Sequence, residues 1–279
     1  MNKAQKTMAH MGYPRCKCEL IREKDGVAVW RARSGQESYI LKMFERAEDR
    51  REIRFYEILR ECGVPTIRVL ARTEDALLLE DLECSPVWRL GRAEDMDSPQ
   101  VARAVAAWYR ALHAAGRRFP ALLELPADTD ALTEANLRVL SGIFPNETFW
   151  PRLLAGYDKF RQLLDALPKT LTYNDFYWTN LAVARDGTAA LLFDYNCAGR
   201  DYAYGDVRNV TSSLSESAGR AFLAAYGEIN PAERAMDAVA ADLFSLWDAV
   251  RRKRSPQWVG DLLSRLADGT LLRNLEAII

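Results

Sequence analysis

Alternating hydrophobic and polar positions dominate the opening part of the chain. Val27–Arg33 alternates with a period of two, and a similar run, Ser38–Phe44, follows the turn residues Ser34–Gln36. Such alternation is typical of β-strands that bury one face. Together with a shorter candidate strand at Cys18–Arg22, the pattern predicts a three-stranded antiparallel meander.

A helical pattern comes next. Between Ala47 and Cys62, the apolar residues Phe55, Tyr56 and Leu59 share one face of a helix with a period of 3.6 residues. The segment Gly63–Pro65 is expected to end this helix. Two further strands are predicted at Thr66–Ala71 and Ala76–Glu80.

After residue 83 the pattern becomes mostly helical. Ser98 and Pro99 have the residue types of an N-cap and a first helical position, so a helix is expected from there to Gly116. Further helices are predicted at about residues 130–141 and 147–167, and four more from Ser215 onward, with breaks near Asn230–Pro231, Ser255–Pro256 and Gly269.

A short β insert interrupts these helices. It comprises Leu171–Tyr173, Leu181–Val183 and Ala189–Phe193, and the turn signal Asp186-Gly187 makes the last two a hairpin. The chain is therefore expected to be an α+β protein. Residues 1–83 would form a small sheet-rich lobe, and residues 84–279 a larger helical one.

Composition narrows the class of protein. The 279 residues carry 38 Lys and Arg against 39 Asp and Glu, so no bulk charge attracts nucleic acid or an anionic membrane. No apolar run reaches the length of a membrane helix, and the first twenty residues have no apolar signal segment. The five cysteines are scattered and odd in number, which favours reduced thiols and a cytoplasmic location.

The candidate chemistry lies in the β insert. Asp175 and Asn180 stand five positions apart in the loop before the hairpin, and Asp194 directly follows its last strand. The hairpin would place Asn180 and Asp194 side by side. Phosphoryl transfer needs a carboxylate to orient the attacking hydroxyl, and oxygen ligands that hold Mg²⁺ against phosphates. The alternative is that Asp175 and Asn180 only form hydrogen bonds within a turn.

This loop resembles the H-x-D-x-x-x-x-N catalytic loop of the aminoglycoside phosphotransferase and choline kinase-like family. Other landmarks of that family occur in the right order over roughly residues 20–210. They are the strand Tyr39–Phe44 with Lys42, the helix segment Arg51–Glu57, the strand and hinge Leu77–Leu82, and Ala111–His113 at the end of a later helix.

The resemblance implies a two-lobed protein-kinase-like fold and a set of site residues. Asp175 would be the catalytic base, and Asn180 and Asp194 would bind Mg²⁺. Lys42 would contact the α- and β-phosphates of ATP (or GTP). Backbone groups between Glu80 and Glu83, including Leu82, would bind the base, and Glu52 would position Lys42.

The sequence itself supports the assignment of Lys42. The ammonium group of a lysine in a strand usually lies in solvent, but Lys42 has apolar neighbours on both faces of its strand. An unpaired buried ammonium is costly, so Lys42 should have an acidic partner. Glu52 is preferred over Glu57, because it shares the inward face of the predicted helix.

Two positions depart from the family pattern. Tyr173 replaces the histidine two places before the catalytic aspartate, where the family residue has a scaffold role. The loop between the first two strands contains only Gly26 instead of a glycine-rich sequence. The backbone amides of residues 24–27 are the candidate phosphate donors there.

Aromatic residues bear on the acceptor. Tyr177 and Trp178 lie in the catalytic loop, and Trp247 and Asp248 lie on a late helix. They predict a small acceptor with an apolar or cationic surface that stacks on the rings, with Asp248 as its carboxylate partner. The alternative is that Trp247 is an ordinary helix-packing residue.

The expected function is that of a small-molecule kinase, which transfers the γ-phosphoryl group of ATP (or GTP) to an acceptor hydroxyl with Mg²⁺. The main alternative is a pseudokinase that binds nucleotide or a partner protein without turnover, favoured by the poor glycine loop and Tyr173. A kinase acting on a protein or on a larger metabolite is a third possibility. Nucleic acid and membranes are not expected partners.

Overall fold

A five-stranded antiparallel sheet forms the N-terminal part of the computed structural model, which describes residues 1–119, 125–253 and 256–279. The strands are β1 (Lys17–Lys24), β2 (Val27–Ser34), β3 (Glu37–Phe44), β4 (Val69–Arg72) and β5 (Ala76–Glu80). They lie in the order β1-β2-β3-β5-β4, so the predicted meander is present. The sequence placed the fourth strand slightly early, since it begins at Val69.

Two helices belong to this region: α1 (Lys3–His10) and α2 (Arg51–Cys62). Helix α2 was predicted, and Gly63 ends it in the left-handed conformation with φ 72°. Helix α1 was not predicted. Its residues Ala4 and Met8 are fully buried in one apolar cluster with Leu41 of the sheet. This packing stabilises a segment that is too short to be a stable helix by itself.

Most of the remaining chain is helical. The segment 147–167 was predicted as one helix, but the structure divides it at Gly156. A helix at Tyr204–Ser213 was not predicted, and the four expected helices after residue 215 are present. The helices are α3 (Pro99–Arg118), α4 (Glu134–Ile143), α5 (Phe149–Ala155), α6 (Tyr157–Asp165), α7 (Tyr204–Ser213), α8 (Glu216–Tyr226), α9 (Pro231–Arg251), α10 (Trp258–Ala267) and α11 (Thr270–Glu276). The predicted break at Ser255–Pro256 lies partly outside the described residues, because Ser255 is not among them.

Two small sheets complete the fold. The predicted hairpin pairs β8 (Leu181–Ala184) with β9 (Ala190–Leu192), and β6 (Trp88–Leu90) extends it on the other side of β8. A separate antiparallel pair joins β7 (Thr170–Thr172) to β10 (Gly199–Asp201). The architecture is therefore α+β, as predicted.

The chain forms two compact units. The first comprises residues 1–115, 173–198 and 209–227, and the second comprises residues 116–172, 199–208 and 228–279. The five-stranded sheet and the β8–β9 hairpin belong to the first unit. The limits of these units differ from the boundary after residue 83 that was predicted from the sequence. That boundary separates a nucleotide-binding lobe from an acceptor-binding lobe, and it stays a prediction. Within the described residues, no helix is long and apolar enough to cross a membrane.

Candidate active site

Lys42 occupies the centre of a three-residue ionic cluster in the first unit. Strand β3 carries it between β2 and β5, opposite Val29 and Leu77. Its Nζ lies 2.6 Å from Glu52 Oε2 and 2.6 Å from Asp194 Oδ1. Lys42 is only 8% exposed and Glu52 is fully buried. Of the two glutamates considered from the sequence, Glu52 is the one that contacts Lys42.

The charges in this cluster depend on one another. Burial by itself would lower the pKa of Lys42, but Glu52 and Asp194 outweigh it and raise the pKa above its ordinary value. Burial raises the pKa of Glu52 to about 6, although the Lys42 ammonium acts in the opposite direction. At neutral pH the lysine is therefore a cation and the glutamate an anion, so the ion pair is intact.

Asp194 reaches the cluster from the end of β9. Its backbone is in the left-handed region with φ 65°, a conformation that a residue other than glycine rarely adopts. Asn174 has the same φ of 65° directly before Asp175, and its side chain donates a hydrogen bond to the Cys197 carbonyl. Unusual conformations of this kind persist only where surrounding contacts enforce them. Both strained residues belong to the loops that carry the candidate aspartates.

Asp175 is oriented by Asn180. The Nδ2 group of Asn180 donates hydrogen bonds to the Asp175 carboxylate at 2.8 Å and to its backbone carbonyl at 3.1 Å. The turn hydrogen bond considered as an alternative is therefore present, and it fixes the carboxylate. Because Nδ2 faces Asp175, the amide oxygen of Asn180 faces away from it. The backbone carbonyl of Asn180 accepts from the N–H of Phe193, one residue before Asp194.

A buried aromatic scaffold supports the loop that carries Asp175. Tyr173, which replaces the family histidine, is fully buried and donates a hydrogen bond from its hydroxyl to the Phe193 carbonyl at 2.5 Å. Tyr195, directly after Asp194, is also fully buried and donates to the Leu192 carbonyl. Both tyrosines thus anchor the end of β9. Tyr173 therefore has a structural role at this position.

The oxygen donors near Asp194 fit a magnesium ion. The described residues include no group of three His, Cys, Asp or Glu side chains arranged to hold a metal. Mg²⁺ does not require such a group, since it is usually held by one or two carboxylates together with phosphate oxygens and waters. Asp194 is partly exposed, and Asn180 has an amide oxygen turned away from Asp175. Both side chains offer hard oxygen atoms, which is the kind of ligand that Mg²⁺ prefers. Their role as its ligands stays a prediction.

The turn between β1 and β2 is tight. Asp25 and Gly26 both have positive φ, at 52° and 85°, as a two-residue hairpin turn requires. The Gly26 carbonyl accepts a hydrogen bond from the Glu45 N–H. A Cβ at Gly26 would lie 3.2 Å from the side chain of Arg46, so the close approach of that arginine also favours glycine. The single glycine therefore has a structural explanation in the turn.

The predicted hinge contains a residue that the sequence did not single out. Glu80 ends β5 and Leu82 is buried, as candidate neighbours of a nucleotide base. Between them, Asp81 is only 3% exposed. Its carboxylate accepts from Arg31 Nε at 2.9 Å and from Ser38 Oγ at 2.6 Å. These two hydrogen bonds hold the hinge to β2 and β3. The one signal for them in the sequence is an aspartate between the apolar strand β5 and Leu82.

The candidate acceptor residues fall in different units. Tyr177 is half exposed, and its ring centroid lies 5.8 Å from that of Trp178, which forms an aromatic pair on the catalytic loop. In the second unit, Trp247 is partly buried against the helical core. Asp248 pairs with Arg251 and Arg252 of the same chain segment. The roles of all four in acceptor binding stay predictions.

The fold and the arrangement of these groups define a two-lobed kinase-like protein. Residues 21–241 match the family described as the phosphotransferase enzyme family, and the chain belongs to that family. The resemblance drawn from the sequence is thereby confirmed. A comparison with curated proteins found no match.

Solved structures with the same fold include kinases of several small molecules. Choline kinase LicA from Streptococcus pneumoniae has a TM-score of 0.63 and 11% identity, over 95% of this chain and 96% of that chain. Macrolide 2'-phosphotransferase MphH from Brachybacterium faecium has a TM-score of 0.60 and 17% identity, over 95% of each chain. A choline/ethanolamine kinase family protein from Mesorhizobium loti has a TM-score of 0.63 and 18% identity, over 98% of this chain and 93% of that chain.

Proposed function

We propose that the protein transfers the γ-phosphoryl group of ATP (or GTP) to a hydroxyl group of a small molecule. The observation that carries this proposal is that Lys42 lies within hydrogen-bond distance of both Glu52 and Asp194, while the loop before β8 holds Asp175 against Asn180. Phosphoryl transfer depends on positioning and on charge neutralisation more than on covalent chemistry by the protein.

Asp175 is the proposed catalytic base. The acceptor oxygen attacks the γ-phosphorus, the bond to the bridging oxygen of the nucleoside diphosphate breaks, and the hydroxyl proton passes to the Asp175 carboxylate. The hydrogen bond from Asn180 at 2.8 Å orients that carboxylate. No covalent intermediate on the protein is required.

Lys42 is the proposed ligand of the α- and β-phosphates, and Glu52 keeps its ammonium in place. Asn180 and Asp194 would hold Mg²⁺, which neutralises phosphate charge when it is bound. In the structure, Lys42 contacts Asp194. When a nucleotide is bound, its phosphate oxygens would become further partners of this lysine. The backbone groups of Glu80 and Leu82 are the proposed contacts of the nucleotide base.

The acceptor is proposed to have an apolar or cationic surface. The exposed Tyr177–Trp178 pair offers aromatic faces for such a group on the catalytic loop itself. The names of the structural neighbours include choline kinase and spectinomycin phosphotransferase, and choline is a cationic alcohol. Trp247 and Asp248 are secondary candidates, because the charge of Asp248 is already balanced by two arginines.

Replacement of the base tests the proposal. The Asp175→Asn variant keeps an oxygen that accepts from Asn180 but cannot take a proton, so turnover should fall by about 10²–10⁴-fold. Nucleotide affinity, measured by calorimetry, should stay within about twofold of the wild type. The assay is Mg²⁺-dependent ADP release with choline, amino alcohols, aminoglycosides, sugars and nucleosides as acceptors.

The same assay separates the kinase from the pseudokinase alternative. Tight nucleotide binding without ADP release for any acceptor would favour a pseudokinase. Equal turnover by the wild type and Asp175→Asn would contradict the role of Asp175. The retained Lys42, Glu52, Asp175, Asn180 and Asp194 set supports an active enzyme.

A further inference from the structure

A cavity lies in the first unit between helix α2 and strand β4. Its volume is about 520 Å³, within the range of small-molecule sites. The floor is apolar and includes the buried residues Ile53, Ile67 and Leu77. None of the residues proposed for phosphoryl transfer lines it. We call this cavity the α2–β4 groove.

Arginines surround the α2–β4 groove. Arg60, Arg68 and Arg72 line it, together with one acidic residue, Glu57. Glu57 is already engaged, because Arg72 lies 2.5 Å and Arg54 3.2 Å from its carboxylate. Arg60 and Arg68 are exposed, and neither forms an ion pair with any residue that the structure describes. The groove thus combines an apolar floor with two unpaired cations.

We propose that the α2–β4 groove is a second ligand site, which binds a small amphipathic anion with its apolar body on the floor and its acidic head group at Arg60 and Arg68. The positive charges of Arg60 and Arg68 favour an anionic ligand, since guanidinium groups bind carboxylates and phosphates in a bidentate manner. The head group is a carboxylate or a phosphate, and both share this chemistry.

The groove is connected to the candidate active site through Tyr195. The ring of Tyr56, which lines the groove, packs against the Tyr195 ring with centroids 4.7 Å apart. Thr66, another lining residue, forms a hydrogen bond of 2.8 Å with the Tyr195 hydroxyl. Tyr195 directly follows Asp194, and the lining residue Ile53 directly follows Glu52. An occupant therefore contacts neighbours of two members of the ionic cluster.

Through this connection, a ligand in the groove would regulate nucleotide binding at the candidate active site. This step rests on the proposed function. A ligand that repositions Tyr56 or Thr66 acts on the backbone that carries Asp194, so it changes nucleotide affinity. Coupling of this kind is reciprocal, because each ligand must alter the affinity for the other by the same factor. The expected factor is about fivefold or more.

Binding is tested without any turnover assay. Sodium decanoate and decyl phosphate are titrated into the full chain by calorimetry, with 1-decanol as the neutral probe. The anions should bind and 1-decanol should bind at least about tenfold more weakly, a difference of about 1.4 kcal/mol. The stronger of the two anions identifies the head group. Equal binding of all three probes would overturn the proposal, because it would show only a non-specific apolar surface.

Variants locate the site. Arg60→Gln/Arg68→Gln should weaken anion binding about tenfold or more. Arg51→Gln is the matched control, since Arg51 is an exposed arginine of α2 that does not line the groove, and it should leave anion binding unchanged. Val69→Phe, which fills the groove from β4, should also weaken binding. Wild-type affinity in both the double variant and Val69→Phe, with unchanged thermal melts, would overturn the site.

Nucleotide titrations with and without saturating decanoate test the coupling. Regulation is supported if decanoate shifts the nucleotide affinity of the wild type but not that of Arg60→Gln/Arg68→Gln. Regulation is contradicted if decanoate leaves the nucleotide affinity of the wild type unchanged. Failure of the wild type to bind nucleotide at all would instead count against the proposed function. The anion-binding result would stand in that case, so the two failures are distinguishable.

Discussion

Lys42 and Asp194 are 152 positions apart in sequence, yet the ammonium of one lies 2.6 Å from the carboxylate of the other. The same ammonium contacts Glu52 at equal distance, so one cation is shared between two anions. Asp194 is partly solvated and Glu52 is not. Loss of the lysine should therefore affect the buried glutamate far more than the aspartate.

The stability of the ionic cluster can be measured with a double-mutant cycle. Lys42→Met leaves Glu52 buried without its cation, and should lower the free energy of unfolding at pH 8 by about 3–5 kcal/mol. Lys42→Met/Glu52→Met should recover most of that loss, because no buried charge remains. Urea denaturation of these two variants, and of Glu52→Met to complete the cycle, gives the values.

The control for that cycle is an exposed ion pair. Lys24 lies 3.8 Å from Asp25, and both side chains are more than half exposed. Lys24→Met should therefore change stability by less than about 0.5 kcal/mol. A double variant as unstable as Lys42→Met alone would show that the lysine stabilises the fold by packing and not by its charge.

The raised pKa of Glu52 predicts a pH dependence of stability. Between its ordinary value of 4.5 and about 6, the folded protein retains a proton on Glu52 that the unfolded chain has released. The contribution of Glu52 is thus complete below pH 4.5 and is lost as the pH rises through about 6, a loss of about 2 kcal/mol. Lys42 stays charged throughout this window, because its own pKa is raised.

Glu52→Gln isolates this effect. Its free energy of unfolding, subtracted from that of the wild type at each pH, should leave a difference that declines from pH 4.5 to 6 and is flat above pH 7. Denaturation curves at closely spaced pH values measure it. A flat difference across the whole range would mean that Glu52 has an ordinary pKa.

Two neighbouring tyrosines should respond oppositely to loss of their hydroxyls. The Tyr195 hydroxyl has two partners, Thr66 and the Leu192 carbonyl, so Tyr195→Phe should destabilise the protein by about 1–3 kcal/mol. The Tyr56 hydroxyl is buried and has no hydrogen-bond partner among the described residues. Tyr56→Phe should be neutral or stabilising by up to about 1 kcal/mol. Thermal and chemical denaturation measure both changes in stability. A larger loss of stability in Tyr56→Phe than in Tyr195→Phe would contradict the prediction.

Asp81 should affect nucleotide binding through the hinge. Asp81→Asn weakens its bonds to Arg31 and Ser38, so the hinge backbone loses its fixed position. The nucleotide KM should rise about tenfold with kcat nearly unchanged, equivalent to about 1.4 kcal/mol of binding. Glu83→Gln is the control, because Glu83 also pairs with Arg31 but is half exposed. A fall in kcat at constant KM would place Asp81 in another role.

The sequence by itself determined the elements whose pattern is local. Alternation over seven or eight residues defined β2 and β3, and a short turn defined the β8–β9 hairpin. The spacing of Asp175 and Asn180 within one loop was also readable, because five residues leave few ways to arrange the two side chains. Such features depend on interactions between close neighbours in the chain.

The tertiary structure decided what depends on distant partners. Strands β6 and β10 were not predicted, and they exist because β8 and β7 pair with them. Helix α1 forms where the sheet buries it. The meeting of Lys42 with Asp194 and the bonds of Asp81 to β2 and β3 likewise join residues far apart in sequence. Long-range pairing leaves no local periodicity, so only the folded chain could reveal these contacts.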